Sequence, residues 1–145
     1  MEHRSFYNEI QTEHNIHPEF KHDLPDADIV LEGVNPSCGD DIFLKLKLDG
    51  NLIVDGAFVG DGCAISQASA DIMLGMVIGQ KKEEALKLGE AFLKMIQGEA
   101  TKQEMDSLGE AAALQDIAHM PARVKCAVLG WRTLKEALAE PGGYS

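Results

Sequence analysis

Three cysteines, Cys38, Cys63 and Cys126, and one carboxylate, Asp40, carry the chemistry this sequence suggests. Each cysteine falls at a junction between elements, not inside an apolar stripe. Cys38 lies in Asn35-Pro36-Ser37-Cys38-Gly39-Asp40, which reads as a turn between two strands. Cys63 follows Gly60-Asp61-Gly62 and immediately precedes a helical pattern. Cys126 sits in or near the first turns of the last helix, beside Arg123 and Lys125. Helix N-termini and nearby cations favour thiolate, the form that binds metal or attacks sulfur. Small buried core residues would need none of this, and from pattern alone that plainer reading stays open.

The cysteines form no Cys-x-x-Cys pair, which removes zinc-ribbon and thioredoxin signatures. What remains is a site assembled from three distant turns. Asp40 reads as its fourth ligand, because residues two apart in an extended turn point the same way and Gly39 between them presents no obstruction. Asp61, near Cys63, competes for that place, but the turn shared with Cys38 favours Asp40. Three thiolates and a carboxylate suit tetrahedral Zn²⁺, with bonds of about 2.3 Å to sulfur and about 2.0–2.2 Å to oxygen. The same ligands can hold a small iron–sulfur cluster. A zinc ion that only staples the fold is less needed in a chain of 145 residues, which is long enough to bury its own core. Hydrolytic zinc chemistry of the deaminase kind would show His-x-Glu and Cys-x-x-Cys, and neither occurs.

The elements that must position these residues follow from periodicity. Apolar residues alternate over Ile29 to Val34 and Ile42 to Leu48, with Ile42, Leu44, Leu46 and Leu48 on one face and Lys45 and Lys47 on the other. Asp49-Gly50 predicts a type I′ hairpin into a third strand, Leu52 to Val59. After Cys63 the period becomes helical through Ile65, Ala68, Ile72 and Met76, ending near Gly79. Further helices are predicted from Lys81 to Gln97, from Thr101 towards Ala113, and from Pro121 through Leu138. A short amphipathic helix is predicted from Ser5 to His17. The expectation is one α+β domain spanning residues 1–145, a small antiparallel sheet of about three strands with helices on one face.

Composition narrows the function. With 13 Lys and Arg against 24 Asp and Glu, the net charge of −11 repels nucleic acid and anionic membranes. The first residues carry charges and no apolar signal core, and no long apolar run occurs, so a soluble cytoplasmic location is expected. His3, His14, His17 and His22 read as surface residues, His119 as a loop residue, and Met73 and Met76 as core.

Three ordered motifs carry a resemblance: Asn35-Pro36-Ser37-Cys38-Gly39-Asp40, the run Gly60-Asp61-Gly62-Cys63-Ala64-Ile65-Ser66-Gln67-Ala68-Ser69, and Val124-Lys125-Cys126. Together they resemble the IscU/SufU family of iron–sulfur cluster assembly proteins, from the first helix to about Leu138. Within it the chain is more similar to the SufU branch. IscU-type proteins place a His directly before the third cysteine, where this chain has Lys125, and carry Leu-Pro-Pro-Val-Lys where it reads Met120-Pro121-Ala122-Arg123-Val124-Lys125. The acidic segment from Thr101 to Ala113 is similar to the insertion typical of SufU. The resemblance implies a zinc-dependent sulfurtransferase taking persulfide sulfur from a SufS-type cysteine desulfurase and passing it to downstream iron–sulfur assembly proteins. It implies Cys38, Asp40, Cys63 and Cys126 as zinc ligands and Cys38 as sulfur acceptor. A closed four-ligand site has no open position, so Cys38 would be released by a ligand supplied on docking. The alternative is an IscU-type scaffold on which an iron–sulfur cluster is built.

Overall fold

Strands Ile29–Asn35 (β1), Asp40–Asp49 (β2) and Leu52–Asp61 (β3) form an antiparallel sheet in the order β1-β2-β3 in the computed structural model, which describes His14 and residues 18–139. The predicted helix from Ser5 to His17 lies outside the described residues except for His14. Period-two alternation has the expected outcome in β2, where Ile42, Leu44 and Leu46 are fully buried. Burying each contributes about 1.5–3 kcal/mol.

The hairpin closes one residue later than Asp49-Gly50 suggests. Asp49 pairs with Leu52, so Gly50 and Asn51 are the loop residues. Gly50 has φ 63°, and no non-glycine residue among those described has positive φ. A type I′ turn needs both central residues there, so the predicted type does not form; a positive first residue is the type II′ pattern. Next to it the register shifts between Lys47 and Leu48, and Val54 is left as the bulged residue of β3.

Four α-helices follow: Ala64–Val77 (α1), Lys82–Ile96 (α2), Lys102–Ser107 (α3) and Pro121–Ala139 (α4), with a 3₁₀ helix, Gly109–His119, between the last two. The single helix predicted from Thr101 to Ala113 is thus broken. A capping box of Thr101 and Glu104 starts α3 as its sequence suggests, but Gly109 has φ 50°, and a left-handed residue ends an α-helix. Pro121 opens α4 at the first helical position, where its missing N–H costs nothing.

Helices α1 and α4 lie against the sheet, α1 on β3 and α4 on β1 and β2, while α2 and the 3₁₀ helix pack outside them. One core cluster joins Ile42, Leu44 and Phe58 of the sheet to Met73 and Leu74 of α1 and Trp131 of α4. Phe92 of α2 stacks on Trp131 with ring centroids 4.5 Å apart. Because α1 is covered on most sides, its buried polar groups need partners. The Ser69 hydroxyl donates to the Ala127 carbonyl at 2.6 Å and accepts from the Trp131 indole N–H at 3.1 Å. Asp71, 1% exposed, accepts from the Phe20 N–H at 2.8 Å and faces His14 Nδ1 at 2.6 Å. His14, read from sequence as a surface residue, therefore bridges α1 to the 3₁₀ helix, because its Nε2 lies 2.8 Å from Glu110.

Two outcomes follow from this packing. The His14 side chain is desolvated, which opposes the imidazolium, but hydrogen bonds to Asp71 and Glu110 outweigh that and raise its pKa above 6.5. Stabilisation by His14 is then complete below the unfolded value of about 6.5 and fades as pH rises through the higher folded value. The melting-temperature gap between wild type and His14→Gln is expected to narrow from about pH 6 to pH 8.5, as differential scanning calorimetry would read. In a second place, β1 and α4 meet at Gly33, where an added Cβ would strike Thr133 Oγ1. Thr133 is fixed by donating to the Leu129 carbonyl at 2.8 Å. Gly33→Ala is expected to cost about 1–3 kcal/mol in urea denaturation, with Thr133→Ala in the same chain recovering part of it.

Candidate metal centre

The end of β1, the start of β2, the N-terminus of α1 and the second turn of α4 converge at one end of the sheet. Asn35 and Asp40 are the last paired residues of β1 and β2, and the turn between them carries Cys38. The Cys38 N–H donates to the Asn35 carbonyl at 3.2 Å, closing that turn. Gly39 has φ 74°, and nothing lies within 4 Å of where its Cβ would be. Cys38 and Asp40 therefore come together across a left-handed residue, not along an extended turn as the sequence suggested; glycine is required by the backbone itself.

Asp40 is 1% exposed. Its Oδ1 accepts from the Cys63 N–H at 2.8 Å and lies 3.2 Å from the Ser66 hydroxyl; its Oδ2 accepts from Asn35 Nδ2 at 3.2 Å. Among the described residues no Lys, Arg or His side chain hydrogen-bonds to it. A buried carboxylate held only by neutral donors is costly unless a cation joins it.

Two thiols meet this carboxylate. Cys38 Sγ, an Asp40 carboxylate oxygen and Cys126 Sγ lie within 4.8 Å of one another, and the two sulfurs are 3.2 Å apart. The donor set matches zinc in type; two bonds of about 2.3 Å at a tetrahedral angle put sulfurs about 3.8 Å apart, so the exposed Cys38 has to move outward by about half an ångström to share an ion with Cys126. Cys63 stands outside this trio. It is the N-cap of α1, its Sγ accepting from the Ser66 N–H at 3.4 Å. Burial first, then the neighbouring Cys38 and Cys63 thiols, push the Cys126 thiol above its ordinary range. The cationic neighbours expected to favour a Cys126 thiolate do not act that way: Cys126 is buried on α4 while Arg123 and Lys125 are exposed. Asp61 is exposed at the end of β3 and joins no metal-ligating cluster among the described residues.

Sequence reasoning missed the two buried polar partners, Asn35 and Ser66. Asn35 Nδ2 also lies 3.8 Å from Cys126 Sγ, and Ser66 is three residues into the helix that Cys63 caps. The capping pattern was a usable signal for Ser66; nothing local distinguished Asn35 from an ordinary turn residue.

The family model described as the NifU-like N-terminal domain matches residues 6–127. The chain is 40% identical to the "Zinc-dependent sulfurtransferase SufU" of Bacillus subtilis, over 96% of this chain and 93% of that one. It is 42% identical to the "Iron-sulfur cluster assembly scaffold protein IscU" of Thermotoga maritima, over 93% and 94%. The crystal structure of a putative iron–sulfur cluster assembly scaffold protein for the SUF system from Fervidobacterium islandicum superposes with a TM-score of 0.85 at 38% identity, covering 90% of this chain and 94% of that one. Matching motifs and matching fold lead to one conclusion: the chain belongs to the NifU-like N-terminal domain family, with the SufU and IscU proteins of iron–sulfur cluster assembly.

Proposed function

We propose that this chain is a zinc-dependent sulfurtransferase that accepts sulfur on Cys38 from the persulfide of a SufS-type cysteine desulfurase, for iron–sulfur cluster assembly. The observation that carries the reading is an unequal trio: Cys38 is exposed on a turn with a left-handed glycine, while Asp40 and Cys126, its neighbours within 4.8 Å, are buried. Such an arrangement lets one sulfur move while the others stay. Cys38, Asp40 and Cys126 would hold the ion, with Cys63 as the fourth ligand. What zinc supplies when bound is a redox-inert Lewis acid that keeps sulfur ligands deprotonated.

In the transfer, the Cys38 thiolate attacks the terminal sulfur of the donor persulfide. A new S–S bond forms at Cys38 as the donor S–S bond breaks, and the donor cysteine leaves as thiolate. One sulfur atom moves, and no net oxidation occurs. Lys125 in place of a His before Cys126 supports this reading. The second reading, an IscU-type scaffold, is favoured by the 42% identity to the Thermotoga maritima protein.

Cys38→Ala is expected to abolish stimulation of a cysteine desulfurase by added protein; full stimulation by that variant would remove Cys38 as acceptor. Protein purified without chelator is expected to hold about one zinc per chain, as in other closed structural-type sites, with Asp40→Ala retaining markedly less by elemental analysis. Brown protein carrying iron and acid-labile sulfide would favour the scaffold instead.

A further inference from the structure

We infer that Asn35 is a positioning residue of this centre: its carboxamide ties Asp40 and Cys126 into a fixed pair, leaving Cys38 as the ligand that can depart. The inference rests on the metal-site reading above and gives a role to a residue outside the donor set.

Asn35 is 5% exposed at the end of β1. A buried carboxamide is costly unless its protons find acceptors, and the two acceptors of Asn35 Nδ2 are both atoms of the centre. One is Asp40 Oδ2 at 3.2 Å, the other Cys126 Sγ at 3.8 Å. The amide carries two N–H groups on one rigid plane, so it fixes the separation of a carboxylate on β2 and a sulfur on α4. Both bonds strengthen when their acceptors are anionic, the state in which they bind a cation. The opposite carboxylate oxygen is held from α1 by the Cys63 N–H and the Ser66 hydroxyl. Asp40 is thereby clamped on both sides.

The three sulfurs are treated unequally. Cys126 has Asn35 as donor, and Cys63 has the Ser66 N–H at 3.4 Å. Cys38 has the Cys126 thiol at 3.2 Å and a carbonyl, Ala122 O, at 4.0 Å; among the described residues no N–H group reaches it. A donated hydrogen bond stabilises the sulfur lone pairs and lowers nucleophilicity. The fold therefore gives an N–H donor to each of the two sulfurs that stay, while the one that reacts accepts only from the Cys126 thiol, a donor lost when Cys126 becomes a thiolate.

The test is Co²⁺ and Zn²⁺ binding to the full chain, with Asn35→Ala and the volume-preserving Asn35→Leu beside wild type and far-UV circular dichroism as the folding control. A folded variant is expected to lose about 10–100-fold in affinity against a competing chelator. Its sulfur-to-cobalt charge-transfer band is expected at longer wavelength, because the Cys126 lone pairs rise without their donor; a residue that only supports the fold would not move that band. Should neither variant fold, wild-type ¹⁵N–¹H spectra decide. The Asn35 side-chain resonances shift downfield on zinc saturation while those of Asn51, at the far end of the sheet, stay. Wild-type affinity and an unmoved band in a folded variant, or unmoved Asn35 resonances, would overturn the role of Asn35 and leave the zinc reading standing. Wild-type chain that takes up neither ion would overturn both.

Discussion

A carboxylate almost without solvent, satisfied among the described residues by neutral donors alone, sets the terms for the rest of the molecule. Removing an anion from water costs several kcal/mol unless fixed partners replace the lost hydration. Asp40 obtains them from β1 through Asn35 and from the α1 terminus through Cys63 and Ser66. Each partner must arrive from a different part of the chain. The sheet register that makes Asn35 and Asp40 opposite residues is therefore part of the site, as is the direction in which α1 leaves β3.

Bringing Cys126 to this carboxylate is a packing problem solved at a distance. Helix α4 approaches β1 closely enough that Gly33 has no room for a side chain. Apolar burial in the core cluster that Leu129 and Leu134 of α4 share with Leu44 of β2 supplies the driving force. The cysteine is carried in on a helix and is rigid, whereas Cys38 rides a turn of four residues, Pro36 to Gly39, and is exposed. Difference in support, not in residue type, separates the roles of two sulfurs that nearly touch.

Much of this was legible in the sequence. Alternation of Ile42, Leu44 and Leu46 against Lys45 and Lys47 reports a sheet with one buried face, and Cys38 and Cys63 announce themselves by sitting at element junctions, whereas Cys126, also expected at one, is buried in the second turn of α4. What was illegible depended on neighbours remote in sequence or on backbone states that side chains do not advertise. Gly109 looked like any residue in a helical stretch until its φ of 50° broke the segment. The hairpin shifted by one residue because Asp49 still pairs with Leu52. Asn35 resembled a turn former, and His14 one of several N-terminal histidines, because the atoms that define their work lie on α4, β2, α1 and the 3₁₀ helix. Local pattern cannot encode a meeting of that kind.

The Ser69 hydroxyl, held between the Ala127 carbonyl and the Trp131 indole, has a consequence for how sharply the thiols are aimed. It acts as a key between two helices, since both of its bonds are lost if either helix slides or turns. Slipping α4 by one residue would rotate Cys126 by about 100° around the helix axis and carry it off the ion-facing side. The angular setting of a sulfur is thus governed by a hydroxyl that touches no sulfur, and the freedom to vary sequence at this joint is smaller than its distance from the chemistry suggests.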